Sequence, residues 1–310
     1  MALMNAVVDR LLTGVSQAYK PSNYISELIL PIIKHDQYSG LLGKYGKEHL
    51  RIVNALAGGE GKYGRVKPML TSTDRFQIEG HGLETALTKQ DMANYSTPFN
   101  ARRDKTMFLT TMLWLEKEKL LADTIFDPAI ITQNTPLTGT AKWSDVDNSD
   151  PVSDSDAAHA VIEAQTGMQA NKLVINKSVL RKLKRNVAIL DKLGYKNNRA
   201  GKLSNQEIAE ALDVEEIIIA SAKYNSAAKG QADIFSDVWT DNAAFLYAPN
   251  NPDEMQQSLG YLVQKDGSSS RKVYRNPIDN PPGAESILVE DEYDFFMSDL
   301  TAEYLYIDCL

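Results

Sequence analysis

Between Tyr38 and Gly82 the chain carries nine glycines, at positions 40, 43, 46, 58, 59, 61, 64, 80 and 82. Glycine gives up more backbone freedom on ordering than any other residue, so AGGEGKYGRVKP (57–68) cannot hold a stable helix. A phosphate-cradling loop would need the lysine and Ser/Thr of GxxxxGK[ST], which are not there. The stretch is predicted to be a long hairpin with arms EHLRIVNAL (48–56) and RFQIEGHGL (75–83) and a glycine-rich tip. An extended segment this long has no compact home in its own chain, and the cost of ordering it calls for contacts elsewhere.

The flanking patterns are helical. Met4, Val7, Val8, Leu11, Leu12, Val15 and Tyr19 recur at helical spacing and predict an N-terminal helix of about four turns, ending before Pro21. It lies before the expected core, so it is expected to act in assembly rather than in subunit folding. NYISELILPIIK (23–34) follows as an extended arm, with Pro31 confining it to a sheet edge or an unpaired path. Asp104–Phe126 is the longest predicted helix, apolar nearly all round in its first half and so buried on more than one side. The EKEK at 116–119 is expected to be a wet face with local ion pairs.

SDVDNSDPVSDSD (144–156) holds five aspartates. Counted from Asp145 as an EF-hand loop, position six is Asp150 where glycine is required, and no helix enters the loop. The stretch reads as a polar boundary whose Asp154 or Asp156 caps the following helix. Beyond it, helices at 156–166, 177–193 and 204–212 alternate with strands at 171–176, 216–222 and 241–248. SNQE (204–207) is a capping box. SILVEDEYDFF and AEYLYIDCL close the chain as strands around a turn, SDLT.

The net charge is −8, from 41 acidic and 33 basic residues, which argues against intimate DNA or RNA binding. The single cysteine, Cys309, allows no intrachain disulfide. The N-terminus is not a signal peptide, and no run approaches a membrane span. The four histidines are scattered without metal-ligand spacing, and no nucleophile elbow, dinucleotide fingerprint or paired-carboxylate motif is present. No catalytic, cofactor or metal residue is therefore assigned, and the chain is not expected to be an enzyme. A calcium-binding or hydrolytic protein is the alternative from another class.

The order of the parts, and several phrases, carry a resemblance. YKPSNYISELILPIIK, FQIEGHGLETAL, KQDMANY with Pro98, the passage from Lys142 to Asn186, LSNQEIAEALDVEEIIIASAKYN and DVWTDNAAFLYAPNNP follow one another from about Asn23 to the end. The chain resembles the major capsid proteins of tailed bacteriophages, with the Hong Kong 97-type fold. The resemblance implies an α+β subunit: N-terminal helix and arm over 1–36, extended loop over 37–82, peripheral domain with a long spine helix over 83–142 and 270–310, and axial domain over 143–269. It implies self-assembly as hexamers and pentamers into an icosahedral shell around double-stranded DNA, without sequence-specific binding and without a membrane. A separate scaffolding protein, a portal protein and a decoration protein are the further partners implied, in a virion assembled in the host cytoplasm. A compartment shell of the encapsulin kind is the alternative within the fold. On the hairpin tip, Arg65 and Lys67 are the expected inter-subunit anchors, with Tyr63 beside them, and Glu116 and Glu118 are the expected acceptors on a neighbour.

The aspartate stretch generates a test. Calorimetric titration with calcium is expected to show no binding tighter than millimolar. Micromolar binding lost in Asp145→Ala would overturn the reading.

Overall fold

A computed structural model describes residues 7–45, 50–52, 70–95, 97–195, 203–251, 257–266, 271–278 and 283–310. The first part of the chain forms β1 (Val7–Val8), α1 (Arg10–Ala18), α2 (Ser26–Ile29), β2 (Ile32–His35), β3 (Ser39–Tyr45), β4 (Leu70–Gln77), β5 (Glu79–Leu87), α3 (Lys89–Ala93) and the spine helix α4 (Pro98–Ile125). Next come β6 (Asn134–Pro136), α5 (Pro151–Thr166), β7 (Lys172–Asn176), α6 (Lys177–Leu183), α7 (Val187–Lys192), α8 (Asn205–Ala211) and β8 (Glu216–Ala220). The short β9 (Lys223–Asn225) and β10 (Phe235–Asp237), then β11 (Ala243–Leu246), β12 (Gly260–Lys265), β13 (Arg271–Ile278), β14 (Ala284–Met297) and β15 (Glu303–Ile307), complete the α+β fold.

Local chemistry places most helix ends. Thr97 caps α4 through the Asn100 amide, with Pro98 in the first turn where its missing N–H costs nothing. Ser204 and Glu207 form the expected capping box on α8. Asp150, rather than Asp154 or Asp156, caps α5 by accepting from the Ser153 amide at 3.1 Å. Asp154 instead accepts from the buried Trp143 indole at 2.8 Å, pinning the boundary segment to its helix. The single helix expected over 177–193 is two, because Asn186 leaves the helical path and caps α7 through the Ala188 and Ile189 amides.

Two sheets organise the body. One has the order β1-β13-β14-β12-β2, and β5 also pairs with β14. Both β13 and β5 pair with Glu285–Asp291 of β14, so they lie on its opposite sides. The second sheet has the order β6-β15-β11-β7-β8, with β7 and β8 parallel. Its residues alternate between two cores. Leu173, Ile175, Phe245 and Tyr306 face helices α5 to α8, while Val174, Ile218, Ala244 and Leu305 face the arm and the spine helix. The sheets exchange strands relative to the expected segments: β12 joins the first sheet, and β15 sits inside the second. A hairpin is present with other arms than expected: β3 pairs with β4 in a two-stranded ribbon, and the expected return arm at 75–83 is divided between the end of β4 and β5, which pairs with β14 in the first sheet. The expected arm at 48–56 and the tip lie mostly outside the described residues.

The N-terminal helix is shorter than its pattern predicts, and it belongs to the subunit core. Asp9 starts it at Arg10, and Val7–Val8 pair with β13 as a strand. Leu12 is 1% exposed and shares a cluster with Leu109, Leu113, Val273 and Ile287. The hydroxyls of Ser16 and Thr110 meet at 2.8 Å inside the same contact. The expectation that this helix lies outside the core is therefore corrected. The arm likewise is not wholly extended: Ser26–Ile29 is a turn of helix, and only then does the chain enter β2 as the edge strand beside β12.

These contacts set an expected outcome. Leu12→Ala should lower the stability of the unassembled subunit by about 2–5 kcal/mol, the usual cost of emptying a buried leucine site. Thermal unfolding measures it, and deleting residues 2–19 should lower the melting temperature further.

Candidate functional site

The spine helix holds the site from which the rest of the subunit is positioned. Leu109, Leu113, Trp114, Leu121, Ala122 and Ile125 are buried at helical spacing. Lys117 and Glu118 fall in the middle of that stripe, 1% and 0% exposed, so the EKEK segment is not the wet face expected of it. Only its outer members behave so: Glu116 is half-exposed, and Lys119 pairs with Asp123 one turn on. The same geometry leaves Phe108 58% and Met112 45% exposed, so the first half of the helix is not buried all round.

Glu118 accepts from the amides of Ile25 and Ser26, at 3.0 and 2.9 Å, and from the Trp239 indole at 2.7 Å. Three donors from two distant segments thus meet one carboxylate at the start of α2. Burial pushes the Glu118 carboxyl above its usual range, and these hydrogen bonds only partly oppose it. Beside it, the Lys117 ammonium lies 3.2 Å from Glu27 and 3.7 Å from Asp291, and Asp291 also takes Arg271 at 2.9 Å. Burial acts to raise the pKa of Glu27, but Lys117 and Lys20 outweigh it and hold the carboxyl below its usual range. The Lys117 ammonium also sits 4.5 Å from the Tyr293 ring centre, and Arg271 sits 4.8 Å from that of Trp114. The network ties arm, spine helix and both sides of the β13–β14 ladder together. It anchors these segments to one another.

The expected contact residues separate. Tyr63, Arg65 and Lys67 lie outside the described residues. Glu116 is available at the surface, 3.3 Å from the His81 ring nitrogen. Glu118 is occupied within its own chain. Among the described residues no group of three or more His, Cys, Asp or Glu side chains could hold a metal ion, and no helix is long and apolar enough to cross a membrane. Large apolar side chains stand uncovered on the projecting parts: Leu11 is 73% exposed, Leu28 58%, Leu41 65% and Phe235 67%.

No protein-family model matches the sequence. The major capsid protein of Burkholderia phage BcepMu is 24% identical over 269 residues, covering 84% of this chain and 85% of that one. The major capsid protein of Pseudomonas phage JBD67 is 24% identical over 244 residues, 77% of each chain. The chain is a relative of phage major capsid proteins. Its function is that of a capsid shell subunit. A phage-related protein from Bordetella bronchiseptica RB50 has the same fold, with a TM-score of 0.73 at 24% identity over 98% of both chains. An encapsulin complex from Synechococcus elongatus PCC 7942 shares the fold more distantly, with a TM-score of 0.51 at 10% identity over 98% of this subunit and 97% of that chain. The mixed α+β architecture of this subunit is thus one that capsids and encapsulins share, and the named relatives place its function with the capsids.

Glu118 provides the test of the anchor. Glu118→Gln replaces one of the two acceptor oxygens with an NH2 group that faces buried donors, and should destabilise the unassembled subunit by about 1–3 kcal/mol, the scale for leaving a buried donor unsatisfied. The folded pKa is raised, so the folded wild type binds more protons than the unfolded chain just above the ordinary glutamate range. Wild-type stability therefore falls as pH rises through that window, and the gap to the variant should narrow. Denaturant titrations at several pH values check both.

Proposed function

We propose that this subunit assembles through hexamers and pentamers into an icosahedral shell around double-stranded DNA, without cofactor and without a catalytic step. The observation that carries this reading is the pair of capsid relatives that align along most of the chain. The subunit's own physics supports it. The β3–β4 ribbon packs on the first sheet through Phe76 and Leu42 while Leu41 stays 65% exposed, and a two-stranded ribbon is marginal in water by itself. Contacts with neighbours in a shell would supply the missing cover.

In this reading residues 1–36 form the arm, and 37–82 the extended loop that lies over a neighbour. The first sheet with α4 is the peripheral body, drawn from 83–142 and 270–310 together with β12. The second sheet with α5 to α8 is the axial body, drawn from 143–269 together with β6 and β15. Arg65 and Lys67 of the tip, with Tyr63, grip an acidic surface on the neighbour, and Glu116 is the acceptor that remains free to serve. A net charge of −8 fits a container that packs DNA without reading it. A separate scaffolding protein, a portal and a decoration protein complete assembly in the host cytoplasm, and the product is the virion capsid.

Negative-stain microscopy of the purified chain tests the reading, and closed shells or hexagonal sheets are expected. Arg65→Glu should leave circular dichroism and solubility unchanged while shells fail to form or fall apart at moderate salt. Normal shells with wild-type salt resistance would remove the tip from the assembly contacts.

A further inference from the structure

We infer that the acidic cleft between α5 and the turn into β8 receives the basic face of α6 from a second copy of this chain, joining neighbours head to tail. The inference rests on the shell reading above and names one contact within it.

The cleft has a volume of about 500 Å³ and is lined by Asp156, Glu163, Glu210 and Glu215, all exposed. Asp213 at its rim is 3.7 Å from Lys192, but the other four carboxylates make no ion pair among the described residues. His159 also lines the cleft and is 8% exposed. Its Nε2 lies 3.1 Å from the Leu212 carbonyl oxygen. A carbonyl can only accept, so Nε2 carries the proton, and in the neutral ring Nδ1 is left with a lone pair. That nitrogen is buried without a hydrogen-bond partner. Four carboxylates and an unused acceptor call for a cation that carries N–H donors, which is to say a lysine or arginine side chain.

The chain offers such a surface on the same body. Lys177, Arg181 and Arg185 are exposed at four-residue intervals along α6 and just past its end, and none makes an ion pair among the described residues. Like charges at that spacing oppose the helix they sit on, by a few tenths of a kcal/mol per pair, until a counter-charge arrives. The start of α6 lies away from the cleft. Gln169 and Glu215 of the cleft precede the parallel strands β7 and β8, whereas α6 begins directly after the far end of β7. Five strand residues separate those ends by roughly 16 Å. Complementary patches at different places on one body can pair reciprocally across a two-fold axis or once each, head to tail, with successive copies. Head-to-tail contacts close into rings when the rotation permits. Both surfaces belong to the body assigned to the capsomer axis, where a ring is needed.

Charge reversal on each face, and on both, tests the inference. The acidic face is changed by Glu163→Lys with Glu210→Lys, the basic face by Arg181→Glu with Arg185→Glu. Assembled material is read by sedimentation and negative stain across a salt series, with circular dichroism as the check on folding. Each face alone should lower the assembled fraction by about tenfold or more, since like-charge juxtaposition costs several kcal/mol. Reversing both faces in one chain should restore assembly. Wild-type assembly in either single-face variant would overturn the inference while leaving the shell reading intact, as would a folded four-fold variant no better than the two. A wild-type chain that forms neither rings nor shells would remove the shell reading itself, and this contact with it.

Discussion

One buried carboxylate sets the geometry of this subunit. Glu118 draws the backbone of Ile25 and Ser26 onto the spine helix, and holds Trp239 from the far side of the chain. A charge so deeply placed is tolerable only because each donor is aimed at it. The same helical turn supplies Lys117, whose partners Glu27 and Asp291 belong to the arm and to β14. Two adjacent side chains thus bind the arm at Ile25–Glu27, β14 at Asp291 and the segment before β11 at Trp239 to one turn of the spine helix. Apolar packing alone would hold these parts together without fixing their register.

That rigidity suits a shell subunit. The body is tied internally by a network of buried charges, while uncovered apolar side chains stand on the arm, the ribbon and the β9–β10 hairpin as well as on the outer face of the spine helix. A protein that must repeat one contact geometry around a closed surface needs a stiff centre, because small errors of angle accumulate from copy to copy. Its projections need no stability of their own if neighbours complete them. The charge pattern of the helical face follows the same division: Asp213 pairs with Lys192, while the other cleft acids and the bases of α6 make no ion pair among the described residues.

Local signals were legible where short-range chemistry decides the outcome. The capping box at Ser204–Glu207, the buried strand at 172–176 and the long helix through Trp114 all appear where their patterns predict them. The pattern of the N-terminal helix extends too far because Val7 and Val8 fit a helical stripe equally well, and only pairing with Tyr274 and Arg275 makes them strand. Adjacent charges suggest solvent, yet Lys117 and Glu118 are buried. The signal that would have placed them is their position between Leu113–Trp114 and Leu121–Ala122 on one helical face. The cleft around His159 was invisible, since its acids come from two helices and a turn about fifty residues apart.

The sequence by itself determined the class of fold, the relationship to phage capsids, the absence of any local catalytic signature, and the spine helix, the capped helices and the strands at 172–176, 216–220 and 243–246. Those properties rest on periodicity, capping and phrase order, which are written along the chain. The tertiary structure alone decided which charges are buried, that the N-terminal helix belongs to the core, and how β12 and β15 distribute between the sheets. Each of these depends on partners brought together from distant segments. Burial of Lys117 or Glu118 is favourable only when Glu27, Asp291, the arm amides and Trp239 arrive to meet it, and no pattern within the spine helix specifies that they will.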